Sequence, residues 1–104
     1  MSDPKALTPK QRQHLKGLAH GLQPTVQVGA AGVSDGVLEA LDNALETHEL
    51  VKVRIGKGPE GDERRELANE LAAGARAQLC QVIGRVVVLY RARKRDPKIV
   101  LPRA

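Results

Sequence analysis

Apolar residues recur three or four positions apart in three segments of the chain, which is the spacing of helices that bury one face. The first helix begins at the Thr8 cap, with proline in the next position, and stops at Gly21. The second helix spans Ser34 to His48, and the third spans Asp62 to Ala73 with Gly74 as its stop. The positions predicted to face inward are Leu15, Leu18, Leu22, Val37, Leu38, Leu41, Leu45, Leu67, Ala68, Leu71 and Ala72.

Four further segments have the pattern of β-strands. Residues 25–28 form the first, and Leu50–Ile55 alternates apolar and basic side chains, as expected of a strand with one buried face. Residues 77–83 and 85–91 predict a hairpin joined at Gly84, and the apolar Val86–Leu89 predicts a strand covered on both faces. The order α-β-α-β-α-β-β predicts an α/β fold, a small mixed four-stranded sheet with three helices whose first three strands are parallel.

Positive charge is concentrated near the two ends of this chain of 104 residues, which has a net charge of +5. Residues 5–20 hold four basic residues and no acidic one, and residues 91–104 hold six basic residues and one acidic one. Such blocks are either solvated segments or a surface for a polyanion. The second helix is predicted to have an acidic outer surface, made of Glu39, Asp42, Glu46 and Glu49.

The length of the chain is that of one domain with a single core. We expect residues 1–7 to be a disordered N-terminus, residues 8–92 to form the domain, and residues 93–104 to form a basic C-terminal tail. The apolar residues 99–101 within that tail could pack back onto the domain. No apolar run has transmembrane length and no signal peptide is evident, which predicts a cytoplasmic protein without a membrane partner.

Few side chains have the spacing that catalysis or metal binding requires. His14, His20 and His48 are predicted near helix surfaces or ends, with no Cys, Asp or Glu at metal-ligand spacing. The lone Cys80 cannot form an internal disulfide, and its apolar surroundings predict a buried thiol. No nucleophile elbow or carboxylate pair is evident. The sequence therefore predicts a protein that is not an enzyme and uses no cofactor or metal.

One glycine-rich segment matches a dinucleotide-binding fingerprint in its letters but not in its chemistry. Gly56–Gly61 reads G-x-G-x-x-G after a predicted strand and before a predicted helix. Pro59 interrupts the entry to that helix, and Asp62 and Glu63 would face the pyrophosphate. No acidic residue follows at the spacing needed to hold a ribose. We therefore interpret this segment as a flexible loop.

A second glycine motif, Gly29–Gly32, follows the first strand and leads into the second helix. Its two glycines enclose two alanines, so the backbone is almost bare and another molecule can approach it closely. Ser34 is a good helix cap, and the free N–H groups of a helix start can bind phosphate. Asp35 opposes this, because it already places a carboxylate at the positive end of the helix. The alternative is that the glycines only permit a sharp turn.

The aromatic content limits the kinds of nucleic acid that the chain could recognise. Tyr90 is the only aromatic residue, and we expect it at the edge of the core. Proteins that read single strands stack bases on aromatic side chains, which this chain cannot do repeatedly. Basic side chains and exposed amides at a glycine turn instead suit the backbone of structured RNA.

Four segments together resemble the CRM domain family, in particular its stand-alone bacterial YhbY-like form: Lys10–His20, Gly29–Gly32, His48–Val53 and Val88–Arg91. The resemblance implies a fold like the C-terminal domain of translation initiation factor three. It also implies RNA binding and association with precursors of the large ribosomal subunit. In this family the GxxG loop and neighbouring basic residues are the presumed RNA contact, which maps here onto Gly29–Gly32 with Arg12 and Lys16 close by. The predicted RNA-binding residues are Lys10, Arg12, Lys16, Gly29, Ala30, Ala31, Gly32, Arg91, Arg93, Lys94 and Arg95.

The residues predict a monomeric protein that binds structured RNA, without DNA as a partner, and the resemblance implies that this RNA is ribosomal and that the protein assists assembly of the large ribosomal subunit. A protein-interaction module with basic ends for an acidic partner is the alternative, followed by an enzyme with a phosphorylated ligand. A KH domain also has a GxxG loop, but between two helices, whereas here a strand leads into the loop.

Overall fold

The computed structural model describes residues 7–103, which form three helices and four strands in the predicted order. Residues 1–6 of the expected disordered N-terminus lie outside the described residues, and Leu7, also assigned to it, is buried. The α/β class and the sequence of elements are confirmed. The elements are α1 (Pro9–Ala19), β1 (Pro24–Val28), α2 (Asp35–His48), β2 (Leu50–Ile55), α3 (Gly61–Ala75), β3 (Gln78–Ile83) and β4 (Val86–Tyr90).

The four strands form one mixed sheet in the order β1-β2-β4-β3. Strand β1 pairs parallel to β2, whereas β4 pairs antiparallel to both β2 and β3. The first three strands therefore run in one direction, as predicted. A two-residue turn at Gly84 closes the β3–β4 hairpin, with Ile83 opposite Val86 and a φ of 56° at the glycine. This topology leaves β1 and β3 as the two edges.

The sheet is covered on both faces, and each face has its own buried cluster. On one face Val87 and Leu89 of β4 pack with α2 and α3 in the larger cluster. On the other face Val88 and Tyr90 pack with Leu15 of α1 in the smaller one. Strand β4 is thus buried on both faces, as its unbroken apolar run predicted. We call these the α2/α3 face and the α1 face of the sheet.

The inward face of α1 differs from the prediction. Leu15 and Ala19 are buried, but Leu18 is 44% exposed and Leu22 is 36% exposed. The helix ends at Ala19, so Leu22 is no longer held on a helical face. Leu18 lies about 100° around the helix from Ala19, which turns it away from the sheet.

The end of α3 also differs from the prediction, because the helix continues through Gly74 to Ala75. A Cβ atom at Gly74 would lie 2.8 Å from Cδ2 of Leu38, so this glycine permits close approach of α2 to α3 instead of ending the helix. The helix ends at Ala75, and the cap residue that follows is Arg76, which has the left-handed φ of 56°. The residue that stops α3 is therefore an arginine two positions later.

Glu49 was predicted on the acidic outer surface of α2, and this prediction is wrong. The helix ends at His48, and Glu49 follows with a φ of 65° and no solvent exposure. Its carboxylate accepts hydrogen bonds from the backbone N–H groups of Arg93, Lys98 and Ile99, at 2.9, 2.6 and 2.8 Å. Burial raises the pKa of Glu49, but these hydrogen bonds outweigh it and hold the pKa below its ordinary value.

The C-terminal segment packs against the domain, as residues 99–101 suggested. We call residues 92–102 the C-terminal strap. Ile99 and Leu101 pack against the smaller cluster, while Val100 between them is 82% exposed. The side-chain amide of Gln11 in α1 donates to the carbonyl of Pro102 at 3.0 Å. The strap therefore covers part of the α1 face beside α1.

Candidate nucleic-acid interface

The GxxG loop, Gly29–Gly32, lies at the end of edge strand β1. The N–H of Gly32 donates to the carbonyl of Gly29 at 3.0 Å, which closes a tight turn, and Gly32 has a φ of 73°. The first three residues of the loop are exposed. A Cβ atom built on Gly29 or Gly32 would meet no atom within 4 Å. The loop is therefore an open corner of backbone that a ligand can approach closely.

The loop leads into the N-terminus of α2. The hydroxyl of Ser34 accepts the N–H of Val37 at 3.2 Å, which confirms Ser34 as the cap. The positive end of the helix dipole thus lies next to the bare loop, although exposed Asp35 in the first turn offsets part of it. Backbone N–H groups and a helix start favour an anion here.

Two basic residues of β2 lie on the α1 face of the sheet, next to the loop-bearing strand. Leu50 is buried on this face, and the alternation of a strand places Lys52 and Arg54 on the same side. Arg54 is exposed and lies opposite Gln27 of β1, two residues before the loop. These basic residues were missing from the predicted site, although the alternation of β2 was visible in the sequence.

The loops that leave the same end of the sheet add further positive charge. The N–H of Gly56 donates to the carbonyl of Val28 at 2.9 Å. The N–H of Ile55 donates to the carbonyl of Arg85 at 2.7 Å. These bonds hold the loop after β2, with exposed Lys57, and the hairpin turn beside the end of β1. We call this the GxxG end of the sheet. The acidic residues at this end include Asp35 in the first turn of α2, the cap residue Glu60 before α3, and Asp62 and Glu63 in the first turn of α3.

The basic residues of α1 lie elsewhere than expected. Helix α1 packs over β2, β4 and β3, and Arg12 lines a hollow with Arg65 along residues 79–82 of β3. Strand β3 is the edge opposite β1, about 14 Å away at ordinary strand spacing. Arg12 therefore does not flank the GxxG loop. The positive charge of Lys16, like that of Arg12, acts on Cys80 of β3. Lys10 is exposed on the first turn of α1.

Cys80 beneath these residues is buried and free, as predicted. Burial raises the pKa of its thiol to about 12, and the positive charges of Arg12 and Lys16 offset only part of this effect. The thiol therefore stays protonated and unreactive near neutral pH.

Arg91, one of the predicted RNA contacts, is used inside the protein. Its guanidinium forms ion pairs with Asp42 at 2.9 Å and Glu46 at 3.2 Å, and it donates to the carbonyl of Ala75 at 2.7 Å. Its side chain is only 18% exposed. Strand β4 ends near the C-terminal ends of α2 and α3. A cation there can pair with the orphan carbonyl of Ala75 and lies close to the negative ends of two helices. Arg91 is thus a cross-link between α2 and α3.

Residues 7–91 match the CRS1 / YhbY (CRM) domain. The chain belongs to this family. It is 42% identical over 97 residues to a protein of Haemophilus influenzae named "RNA-binding protein", covering 93% of this chain and 96% of that one. It is also 42% identical over 96 residues to "Probable RNA-binding protein YqeI" of Bacillus subtilis, covering 92% and 99%. The solution structure of the hypothetical protein SAV1595 from Staphylococcus aureus matches with a TM-score of 0.81 and 38% identity, covering 92% and 99%.

The strap, which follows the residues matched to the CRM domain, carries the remaining predicted contacts. Arg93 is half-buried, and its guanidinium donates to the carbonyls of Arg95 and Thr47, at 3.2 and 3.3 Å. Lys94 and Arg95 are exposed and line an open hollow with Arg93 and Glu46. The structure thus brings together three of the four predicted C-terminal cations, but not beside the GxxG loop.

None of the helices within residues 7–103 combines the length and the apolar character needed to span a bilayer. Over the same residues, no group of three or more His, Cys, Asp or Glu side chains could hold a metal ion. Tyr90, the single aromatic residue, is 5% exposed and belongs to the smaller cluster, as expected of a residue at the core.

Proposed function

We propose that this CRM domain binds structured RNA through the GxxG loop and the basic sheet face beside it. The observation that carries the proposal is the open turn at Gly29–Gly32 next to Lys52 and Arg54. Phosphates would contact the loop amides and the start of α2, while the basic side chains of β2 hold neighbouring phosphates. The names of two relatives as RNA-binding proteins support RNA as the partner.

The RNA is recognised by its backbone and shape, because the buried Tyr90 cannot offer a base-stacking surface. The function is binding and not catalysis, which agrees with the family and the names of its relatives. We further propose that the RNA is ribosomal RNA in precursors of the large subunit, that the protein assists their assembly in the cytoplasm, and that the GxxG loop is the main contact.

The test compares three single variants at the loop. Gly32→Glu places a carboxylate where the phosphate would lie, and Gly32→Ala reports the strain of a side chain at a φ of 73°, about 1 kcal/mol. Gly29→Ala is the matched control, because Gly29 does not have a positive φ. A Cβ atom at Gly29 would have as much free space as one at Gly32. We expect all three to fold and the affinity of Gly32→Glu for a folded ribosomal RNA fragment to fall roughly tenfold or more below that of Gly32→Ala.

Equal affinities of the folded Glu and Ala variants would show that the loop is only a turn. Crosslinking in cells and sedimentation with ribosomal particles test the assembly role. Loss of co-sedimentation after RNase treatment supports RNA as the partner, whereas RNase-resistant association would favour an acidic protein partner. Crosslinks confined to RNAs other than ribosomal RNA would contradict the assembly role but not RNA binding.

A further inference from the structure

The strap places a second basic surface at the opposite end of the sheet from the GxxG loop. Strands β1 and β2 both finish at the GxxG end, whereas β4 runs antiparallel to them and finishes at the other end. Directly after β4, the N–H of Arg91 donates to the carbonyl of Glu49 at 2.9 Å, and Glu49 is the residue just before β2 begins. The strap therefore starts where β2 starts, at the end of the sheet opposite the loop. We call this the strap end.

The basic loop at the strap end is held in place by the domain. The buried carboxylate of Glu49 accepts three backbone N–H groups, one before and two after Lys94 and Arg95. The side chains of Ile99 and Leu101 then anchor the segment in the smaller cluster. A surface ordered in advance loses less conformational entropy on binding than a loose tail does. The strap end is thus a preformed surface.

The charge of the strap end suits a polyanion. Lys94, Arg95 and Lys98 are exposed, and so is Arg76 at the end of α3, from which β3 starts at this same end. Asp96 is the exposed acid within the strap. Arg91 forms ion pairs with Asp42 and Glu46, the acidic residues of α2 closest to the strap, and so offsets one of their two negative charges. A surface with this excess of exposed cations attracts phosphate groups.

The two basic ends are separated by the length of the strands. Strand β2 has six residues, so at about 3.3 Å per residue the ends lie roughly 20 Å apart. Between them on the outside of α2 lies the exposed acidic residue Glu39, with Asp42 and Glu46 beyond it. A path of phosphates along the α2 side of the domain would therefore meet repulsion.

We propose that the protein has two phosphate-binding surfaces and bridges two segments of structured RNA, one at the GxxG end and one at the strap end. The inference rests on the proposed function, because the first surface is the one assigned there. Bridging would hold two RNA segments near each other during folding of a larger RNA, since joining two sites on one rigid domain raises their effective concentration.

The test measures energy transfer between two short RNA hairpins, one with a donor dye and one with an acceptor dye, mixed with the full-length protein. We expect transfer to rise and then fall as protein is added, because excess protein occupies each hairpin separately. In the strap variant Lys94→Gln/Arg95→Gln/Lys98→Gln, transfer should be lost, while affinity for a single hairpin falls only about threefold. The matched control Lys94→Arg/Arg95→Lys/Lys98→Arg keeps the charge and should keep the transfer.

Three results would overturn the inference while leaving the proposed function intact: hairpins that bind without transfer, a strap variant that still bridges, and bridging only by a dimer in sedimentation velocity. Tighter binding of an acidic peptide than of RNA at the strap end would likewise overturn the inference. That result would assign this surface to a protein partner. If neither hairpin binds at all, the proposed function fails first and the inference with it.

Discussion

The Oε1 atom of Glu49 lies 2.6 Å from the backbone nitrogen of Lys98, a residue 49 positions away in the sequence. The same oxygen accepts the N–H of Ile99, and the other oxygen accepts that of Arg93. One buried side chain thus fixes the path of the strap over the α1 face. The strap is therefore held against the domain by a buried side chain.

Replacing Glu49 should destabilise the protein more than any substitution of an exposed strap residue. Glu49→Ala leaves three backbone donors without their acceptor, and we expect the free energy of unfolding to fall by about 3 kcal/mol. Glu49→Gln keeps one acceptor oxygen and should lose about half as much. Urea unfolding followed by circular dichroism measures both, because the chain has no tryptophan. Wild-type stability of Glu49→Ala would show that the strap does not depend on this residue.

Acid should weaken the attachment of the strap. The pKa of Glu49 is lowered in the folded state, so the unfolded chain takes up this proton at higher pH than the folded protein does. The stabilisation by the carboxylate is present at neutral pH and is lost as the pH falls below about 4.5 towards the folded pKa. We expect the difference in stability between wild type and Glu49→Gln to narrow over this range. A difference independent of pH would contradict the role of the charge.

The order of the elements could be predicted from local patterns, but the roles of individual charges could not. Glu49 follows Asp42 and Glu46 with helical spacing, and nothing local shows that the helix ends at His48 and turns it inward. Arg91 precedes a run of basic residues, so its pairing with the distant Asp42 was hidden in the sequence. Charges at element ends depend on long-range packing, which hydrophobic periodicity does not contain.

The basic face of the sheet shows a second limit of prediction from sequence. The alternation of β2 shows that Lys52 shares a face with Arg54, but not that Arg54 stays exposed on a face against which α1 and the strap also pack. The position of Arg12 depends on the strand order. Because β4 lies between β2 and β3, α1 packs over these three strands, and Arg12 lies beside the edge strand β3. The topology therefore had to be known before the basic residues could be grouped into surfaces.

Removal of residues 93–104 should destabilise the domain as well as remove charge. It deletes the donors to Glu49 and the apolar side chains of Ile99 and Leu101, which cover the smaller cluster. We expect thermal unfolding at least about 5 °C below that of wild type. The matched control is the full-length Lys94→Gln/Arg95→Gln variant, whose stability should stay within about 0.5 kcal/mol of wild type. A truncated protein as stable as wild type would mean that the strap is not part of the fold.

The basic face beside the GxxG loop can be tested separately from the loop itself. Lys52→Gln/Arg54→Gln removes two charges from side chains that project from β2 without a structural ion pair among residues 7–103, so the fold should be retained. We expect affinity for folded RNA to fall for all sequences alike, and the slope of log affinity against log salt to become shallower by about 1.5 to 2. Lys52→Arg/Arg54→Lys keeps both charges and should keep the wild-type slope. An unchanged slope in the Gln variant would place the RNA away from this face and leave the loop to act with other cations.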